Sequence, residues 1–525
     1  MIIIDNHQQG ERYVPHWHIC VGAGRAGEGL RAAFQEHLDL VQKHIHFRYL
    51  RFHGLLHDDM FVLHQAADGT PVYNFQYVDE LFDRMLEKNI RPFVELGFFP
   101  DCLKGGTATQ FWWKANVTPP AEWTGWCSLI DRLVRHWIAR YGSDEVRQWY
   151  FEVWNEPNLD GFWDGTRSQY FDLYKHTART IKAIDPALRV GGPATSNFVP
   201  DGRFDGEKED MSCHLTHQTE DLDSLQWHGV WIEAFLDYCR QQELPVDFVS
   251  THPYPTDFAL DPTGRISGRS RGVDALYKDL TWLKYVVRNS CYPDAEIHLT
   301  EWSSSPSSRD CTHDYLQEAA YIVKTNLDCI GLTNSLSYWT FTDVFEELGA
   351  GASIFHGGFG LINYQGIVKP SWHAYRMLAQ LGDECLYRDD HLFFTRGKNG
   401  LSGLAWNYPI SGTVSMSLWP DHNKAQAELE LGSSCRVCFQ ISGVRPHQRF
   451  QLECLSREHG WALDVWRQMG SPEPPDRRQT EELRQAAFKT STWMIQADAY
   501  GVLTVDESIE PWNLLMIKEH MEESV

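Results

Sequence analysis

Trp149-Tyr150-Phe151-Glu152-Val153-Trp154-Asn155-Glu156-Pro157-Asn158 is a mostly apolar run that ends in an amide, a carboxyl group and a proline. Short, aromatic and bounded by a turn signal, it reads as a buried strand with Asn155 and Glu156 at its carboxyl end. Comparable runs flank it on both sides, each followed by a loop and a helical pattern. They are His18 to Val21, Phe47 to Phe52, Pro92 to Leu96, Leu188 to Gly191, Val246 to Val249, Glu296 to Thr300 and Ser335 to Phe341. Helical periodicity falls at Tyr77 to Glu87, Ala121 to Tyr141, Ser168 to Ile184, Gly229 to Gln242, Val273 to Val287 and Asp314 to Leu327. Eight strands alternating with helices predict an α/β fold, a (β/α)8 TIM barrel, whose functional side chains gather at the carboxyl ends of the strands.

After Phe359 the texture changes to short strand-like stretches between turn residues: Leu401 to Trp406, Gly412 to Leu418, Ala427 to Leu431, Cys435 to Ile441 and Phe450 to Cys454. These predict an appended β-sandwich. A helical segment, Thr480 to Ala487, follows the loop Gly470-Ser471-Pro472-Glu473-Pro474-Pro475. The expected division is a catalytic barrel over 15–355 and an accessory sandwich over 356–525, with residues 1–14 joining the sandwich. An acid-rich stretch, Pro200 to Gln226, is expected to rise above the barrel between the fifth and sixth strands.

The 525 residues are 42% hydrophobic and 22% charged, so a large core can form and extended disorder is not expected. With 47 Lys and Arg against 71 Asp and Glu, the net charge of −24 repels phosphate backbones and excludes nucleic acid as the main partner. The 21 tryptophans suit a large core or platforms for apolar sugar faces. The opening Met1-Ile2-Ile3-Ile4-Asp5 has no basic leader, and no run approaches the ~20 apolar residues of a membrane span. A cytoplasmic protein with no membrane partner is expected. The 12 cysteines have no framework spacing and read as reduced thiols; Cys435 and Cys438 lack the second pair a zinc site needs.

A second carboxyl group stands where the first predicts one. Ile297-His298-Leu299-Thr300-Glu301-Trp302 ends the seventh strand, placing Glu301 at the same end of the barrel as Glu156. Glycoside hydrolysis needs such a pair, one acid to protonate the departing oxygen and one carboxylate to attack or to activate water. Neither a cofactor nor a metal is expected.

The chain resembles glycoside hydrolase family 39, best represented by β-xylosidases, over nearly its whole length. The resemblance rests on an ordered set: Arg51-Phe52-His53-Gly54-Leu55, Trp154-Asn155-Glu156-Pro157-Asn158, Thr251-His252-Pro253-Tyr254-Pro255, Thr300-Glu301-Trp302, Tyr338-Trp339-Thr340-Phe341, Asp343-Val344-Phe345-Glu346-Glu347 and Phe355-His356-Gly357-Gly358-Phe359-Gly360-Leu361. It implies Glu156 as general acid/base and Glu301 as nucleophile of a retaining enzyme. It further implies that Asn155 bonds the sugar 2-hydroxyl, that His53, His252 and Tyr254 surround the sugar, and that Trp339 forms its floor. Glu346 and Glu347 are expected to accept bonds from its hydroxyls, and Phe111, Trp112 and Trp113 to line the mouth. A glycoside or oligosaccharide is the implied partner, and a homo-oligomer is suggested.

Rival readings weigh less. Gly22-Ala23-Gly24-Arg25-Ala26-Gly27 follows a strand as a dinucleotide fingerprint does, but Arg51, Phe52 and His53 stand where the ribose-binding acid belongs. The barrel reading takes these glycines as a tight loop beside the pocket. A carbohydrate-binding protein on a dead scaffold would usually lack one of the two carboxyls. β-D-Xylose is the leading glycone, with β-galactosides, β-glucosides and α-L-arabinopyranosides as alternatives; an iduronide carboxylate would be repelled by Glu346 and Glu347 unless these are protonated or paired.

Overall fold

The computed structural model describes residues 2–209, 218–257, 269–409 and 420–520. The chain divides into two compact units, Ile19–Pro306 with Leu332–Ala350, and Met1–His18 with Ser307–Gly331 and Gly351–Val525.

The first unit holds a closed barrel of eight parallel strands. In chain order these are β1 (Cys20–Arg25), β2 (Tyr49–His53), β3 (Arg91–Leu96), β4 (Tyr150–Val153), β5 (Arg189–Ser196), β6 (Phe248–His252), β7 (Glu296–Trp302) and β8 (Ser335–Tyr338). The TIM barrel expected from the eight runs is present. Its strands are buried on both faces, β4 and β6 throughout, which is why they read as continuous apolar runs rather than alternating ones. Helices Gln76–Glu87, Trp123–Tyr141, Arg167–Ile184, Ile232–Gln241 and Ala275–Arg288 connect successive strands. An aromatic plug fills the amino end of the barrel. Phe93 stacks on Tyr150 with centroids 4.7 Å apart, Phe248 meets both edge-on at 5.4 Å, and His298 lies 4.7 Å from Tyr150. With that end closed by packing, the carboxyl end is left for chemistry.

Gly22 and Gly24 lie within β1, not in a loop, which corrects the expectation of a tight turn there. Glycine is required by close approach rather than by a turn. A Cβ on Gly22 would come 2.5 Å from the Trp339 ring, and one on Gly24 would come 2.2 Å from Glu28 Oε2.

Two layers of mainly antiparallel strands form the sheets of the second unit, the expected sandwich. The larger sheet joins Glu11–Arg12, Glu384–Arg388, Leu392–Gly397, Gly400–Trp406, Leu514–Glu519, Arg449–Leu455 and Ser491–Gln496. In the smaller, Ile2–Asp5 runs parallel to Cys435–Ser442, which pairs antiparallel with Leu503–Ile509. Phe394, Phe450, Leu452 and Ile517 of one sheet and Phe439, Ile441, Leu503 and Val505 of the other share one core. Arg477–Phe488 is helical, opened by a capping box between Asp476 and Gln479. Ala427 to Leu431 is no strand. His422–Leu429 is a helix started by Asp421, whose carboxylate accepts from the Asn423 and Lys424 amides, and it buries Ala425 and Leu429 one turn apart. The strand expected over Gly412 to Leu418 lies outside the described residues, as does 210–217 of the acidic stretch.

The described part of that stretch is tied down. Phe198–Val199 pairs with His228–Gly229 across its base. Glu207 accepts from the Ser168 amide at 3.0 Å, at the first turn of the Arg167–Ile184 helix, where the helix dipole favours a carboxylate. Among the described residues no helix is long and apolar enough to cross a membrane.

Candidate active site

Local backbone geometry aims the key side chains. After β4 the chain takes left-handed conformations at Trp154 (φ 73°) and Glu156 (φ 45°), which cost non-glycine residues about 1–3 kcal/mol each. The Glu156 amide donates to the Ala194 carbonyl at 2.9 Å, and Asn158 exchanges two bonds with Ser196, so β5 holds the turn. On β7 the pairing with β8 slips between Leu299 and Trp302. A regular strand sends neighbouring side chains to opposite faces; the slip lets Thr300 and Glu301 both reach the barrel interior.

Oxygens of Glu156 and Glu301 and Nδ1 of His252 lie within 4.8 Å of one another. Such an approach of oxygens suits the carboxyl pair of retaining glycosidases, roughly 5–5.5 Å apart, better than that of inverting ones, roughly 6.5–9.5 Å apart. The two carboxyls sit in different surroundings. Glu156 is 6% exposed, and burial, only partly offset by the Ser196 hydroxyl and the positive groups nearby, raises its pKa to about 7. Glu301 receives a bond from Arg51 Nη1 at 2.7 Å on one oxygen and from the Tyr254 hydroxyl at 3.1 Å on the other. The Tyr254 phenol stays protonated, since burial and then the Glu301 charge push its pKa well above the usual tyrosine value.

Arg51 is the hub of the site and is completely buried. Besides Glu301 it bonds Glu152 Oε2 through Nε at 2.6 Å and Asn155 Oδ1 through Nη2 at 2.7 Å, and it lies 3.1 Å from Glu95. The Asn155 carbonyl is thus occupied, which turns its amide nitrogen outward. That nitrogen is buried and has no partner among the described residues, a donor left for a ligand hydroxyl. Losing the guanidinium would strand three buried carboxylates. Arg51→Leu is expected to destabilise the protein by about 3–5 kcal/mol, the cost of breaking a buried ion pair from one side, seen as a lower unfolding midpoint. An unchanged midpoint would contradict the hub.

His53 donates to Glu95 at 2.6 Å through Nδ1 and points Nε2 at Glu301 (3.5 Å) and Glu347 (3.7 Å). Burial works against its charge, but the Glu95 carboxylate outweighs it and lifts the pKa to about 9, so this imidazole is a cation. His252 is the opposite case: burial depresses its pKa to about 4, and its Nδ1 lies 2.9 Å from Glu156 Oε1. The Trp339 ring lies 4.7 Å from His53 and below the Arg51 guanidinium, and it rests on the bare backbone of Gly22.

The adjacent acids part company. Glu347 turns inward to His53, and burial raises its pKa to about 8. Glu346 turns the other way, into an ion pair with Arg31, whose Nη2 lies 2.9 Å from its Oε2 and which lowers its pKa. The structure therefore brings together His53, Asn155, Glu156, His252, Tyr254, Glu301, Trp339 and Glu347, and leaves Glu346 as a brace behind them. Phe111 stacks on Trp113 and meets Phe162 edge-on at 5.6 Å, and Phe162 lies 6.4 Å from His53. Trp112 is 57% exposed and anchors its indole nitrogen on the Glu346 carbonyl. Glu95, Glu152, Thr300 and Phe162 were not singled out by the sequence reading. Glu156, His252 and Glu301 have the donor types of a metal site, but Arg51 already supplies the positive charge at Glu301.

The model of glycosyl hydrolases family 39 matches residues 1–496. A β-xylosidase of Geobacillus stearothermophilus is 37% identical over 484 residues, 91% of this chain and 87% of that protein. A β-xylosidase of Caldicellulosiruptor saccharolyticus is 35% identical over 508 residues, 95% and 94% of the two chains. The crystal structure of the GH39 enzyme from Xanthomonas axonopodis pv. citri superimposes with a TM-score of 0.83 at 33% identity, covering 99% of this chain and 97% of that one.

Proposed function

The chain belongs to glycosyl hydrolases family 39 and is an O-glycosyl hydrolase acting on xylosides, and from that premise we propose that it removes a terminal β-D-xylose from oligosaccharides with Glu301 as nucleophile and Glu156 as acid/base. The observation that carries this reading is the approach of the two carboxyls to within 4.8 Å in unlike surroundings. Glu156, protonated below its raised pKa, gives its proton to the departing oxygen while Glu301 attacks the anomeric carbon. The glycosyl-enzyme then yields to a water that Glu156, now a base, deprotonates. The unpartnered Asn155 amide is placed to bond the 2-hydroxyl, an interaction that strengthens as positive charge develops on the ring.

His53, Trp339 and Glu347 would bind the hydroxyls on the far side of the sugar and make the pocket an exo-type one. In a panel of nitrophenyl glycosides, β-xyloside is expected to have the highest kcat/KM. Glu347→Ala should cost that substrate about 1–3 kcal/mol, the scale of a buried hydrogen-bonding group left without its partner. Preference for a β-galactoside, β-glucoside or α-L-arabinopyranoside would reassign the glycone, and an unchanged Glu347→Ala enzyme would remove that residue from the pocket. The same reading puts the protein in the cytoplasm, where buried thiols such as Cys20 and Cys239 stay reduced, without nucleic acid or membrane partners. As a homo-oligomer it would sediment above the mass of one chain.

A further inference from the structure

We propose that Thr300 is a positioning residue that locks His252 as its Nε2–H tautomer, so that the bare Nδ1 holds the proton of Glu156. The proposal rests on the acid/base reading of Glu156 and extends it to a residue outside the sugar pocket. Its warrant is a count of protons along one buried chain of bonds. Glu152 accepts from Arg51 on Oε2 at 2.6 Å and from the Thr300 hydroxyl on Oε1 at 2.8 Å. A hydroxyl has a single proton. Thr300 has given its proton to Glu152, so towards His252, 2.9 Å away at Nε2, it can only accept. The proton of that bond must therefore sit on Nε2.

A second proton, on Nδ1, would make His252 a cation, which burial disfavours and which lowers its pKa to about 4. Around neutral pH, Nδ1 is then a lone pair facing Glu156 Oε1 at 2.9 Å. That distance is a hydrogen bond only when Glu156 carries the proton on Oε1. Once the proton has gone to the leaving group, the carboxylate faces a lone pair, and the repulsion ends when Glu156 takes a proton from the incoming water. One fixed tautomer thus favours the acid in the first half of the reaction and the base in the second. Other charges bear on the pair. Glu301 lies 3.8 Å from His252, and Arg51, Glu152 and His53 also act on its imidazole. Glu156 feels His53, Arg51 and Glu95, and its own charge reaches Glu347, Tyr254 and Glu209. None of these is removed by changing Thr300.

Thr300→Val keeps the shape and deletes both bonds. His252 can then put its proton on Nδ1 and donate it to the Glu156 carboxylate, which favours the charged form. The alkaline limb of kcat/KM on an unactivated xyloside is expected to fall by about one pH unit, and Thr300→Ser, which keeps the hydroxyl, should restore it. A valine variant whose limb stays at the wild-type pH, whatever its kcat, would overturn the proposal. Should the variant not fold, neutron diffraction of the deuterated wild-type enzyme decides: deuterium on His252 Nε2 and Glu156 Oε1 is expected, and deuterium on His252 Nδ1 would overturn the proposal. Azide rescue of Glu156→Ala tests the acid/base assignment by itself, so failure of that reading and failure of the tautomer lock are told apart.

Discussion

Glu301→Ala is expected to lose about five to six orders of magnitude in kcat on every glycoside, the scale seen when a covalent nucleophile is deleted. The loss follows from where the residue stands. Arg51 and Tyr254 hold its two oxygens on the interior face of β7, and the register slip after Leu299 turns the side chain to the barrel axis. Alanine leaves nothing to attack the anomeric carbon, and leaving-group quality cannot compensate for that. The fall should be the same within experimental error for activated aryl glycosides and for xylooligosaccharides. Added azide should restore turnover as the α-azide, the small anion filling the cavity on the nucleophile's side. A variant retaining more than a hundredth of the activity would require another nucleophile.

Glu156→Ala should behave quite differently. General acid assistance contributes roughly 10²–10⁴-fold where the leaving group is poor and little where it is already a good one. Xylobiose and alkyl xylosides should therefore lose close to the full factor in kcat/KM, while dinitrophenyl xyloside keeps most of its rate for forming the intermediate. Azide should accelerate the second step and yield the β-azide, since the acid/base side is now open. In the wild-type enzyme the alkaline limb of kcat/KM should lie near pH 7, because burial raises the Glu156 pKa to about that value and the reactive form is the protonated one below it. In the glycosyl-enzyme the Glu156 pKa should be lower than in the free enzyme, because glycosylation of Glu301 removes a negative charge nearby. Equal losses on all leaving groups, with an α-azide, would exchange the two roles.

The strands carrying these residues were legible because parallel barrel strands are buried on both faces. Continuous apolar runs reveal them, and a glutamate at such a run's end, as in Glu156 and Glu301, stands out. Less legible was the support beneath. Glu95 and Glu152 are register partners on β3 and β4, two acids side by side in buried strands, and only a cation between them makes that tolerable. Arg51 was visible in its motif, but the chain alone does not say that its guanidinium faces this pair. An acid inside each of two successive apolar runs was the available signal. Consecutive acids pose a similar limit, since Glu346 and Glu347 part through Arg31 and His53, both far away in sequence. Ala427 to Leu431 looks like a strand because Ala427, Leu429 and Leu431 alternate, whereas the Asp421 cap and the one-turn spacing of Ala425 and Leu429 make His422–Leu429 a helix.

The measurement that bears most directly on the central claim is covalent trapping. A 2-deoxy-2-fluoro-β-xyloside with a dinitrophenyl leaving group should inactivate the enzyme with release of one equivalent of dinitrophenol, because the fluorine slows both steps and the good leaving group offsets this only in the first. Peptide mass spectrometry should then place one fluoroxylosyl group on Glu301, within His298-Leu299-Thr300-Glu301-Trp302. No covalent adduct, or one on Glu156, would contradict the account.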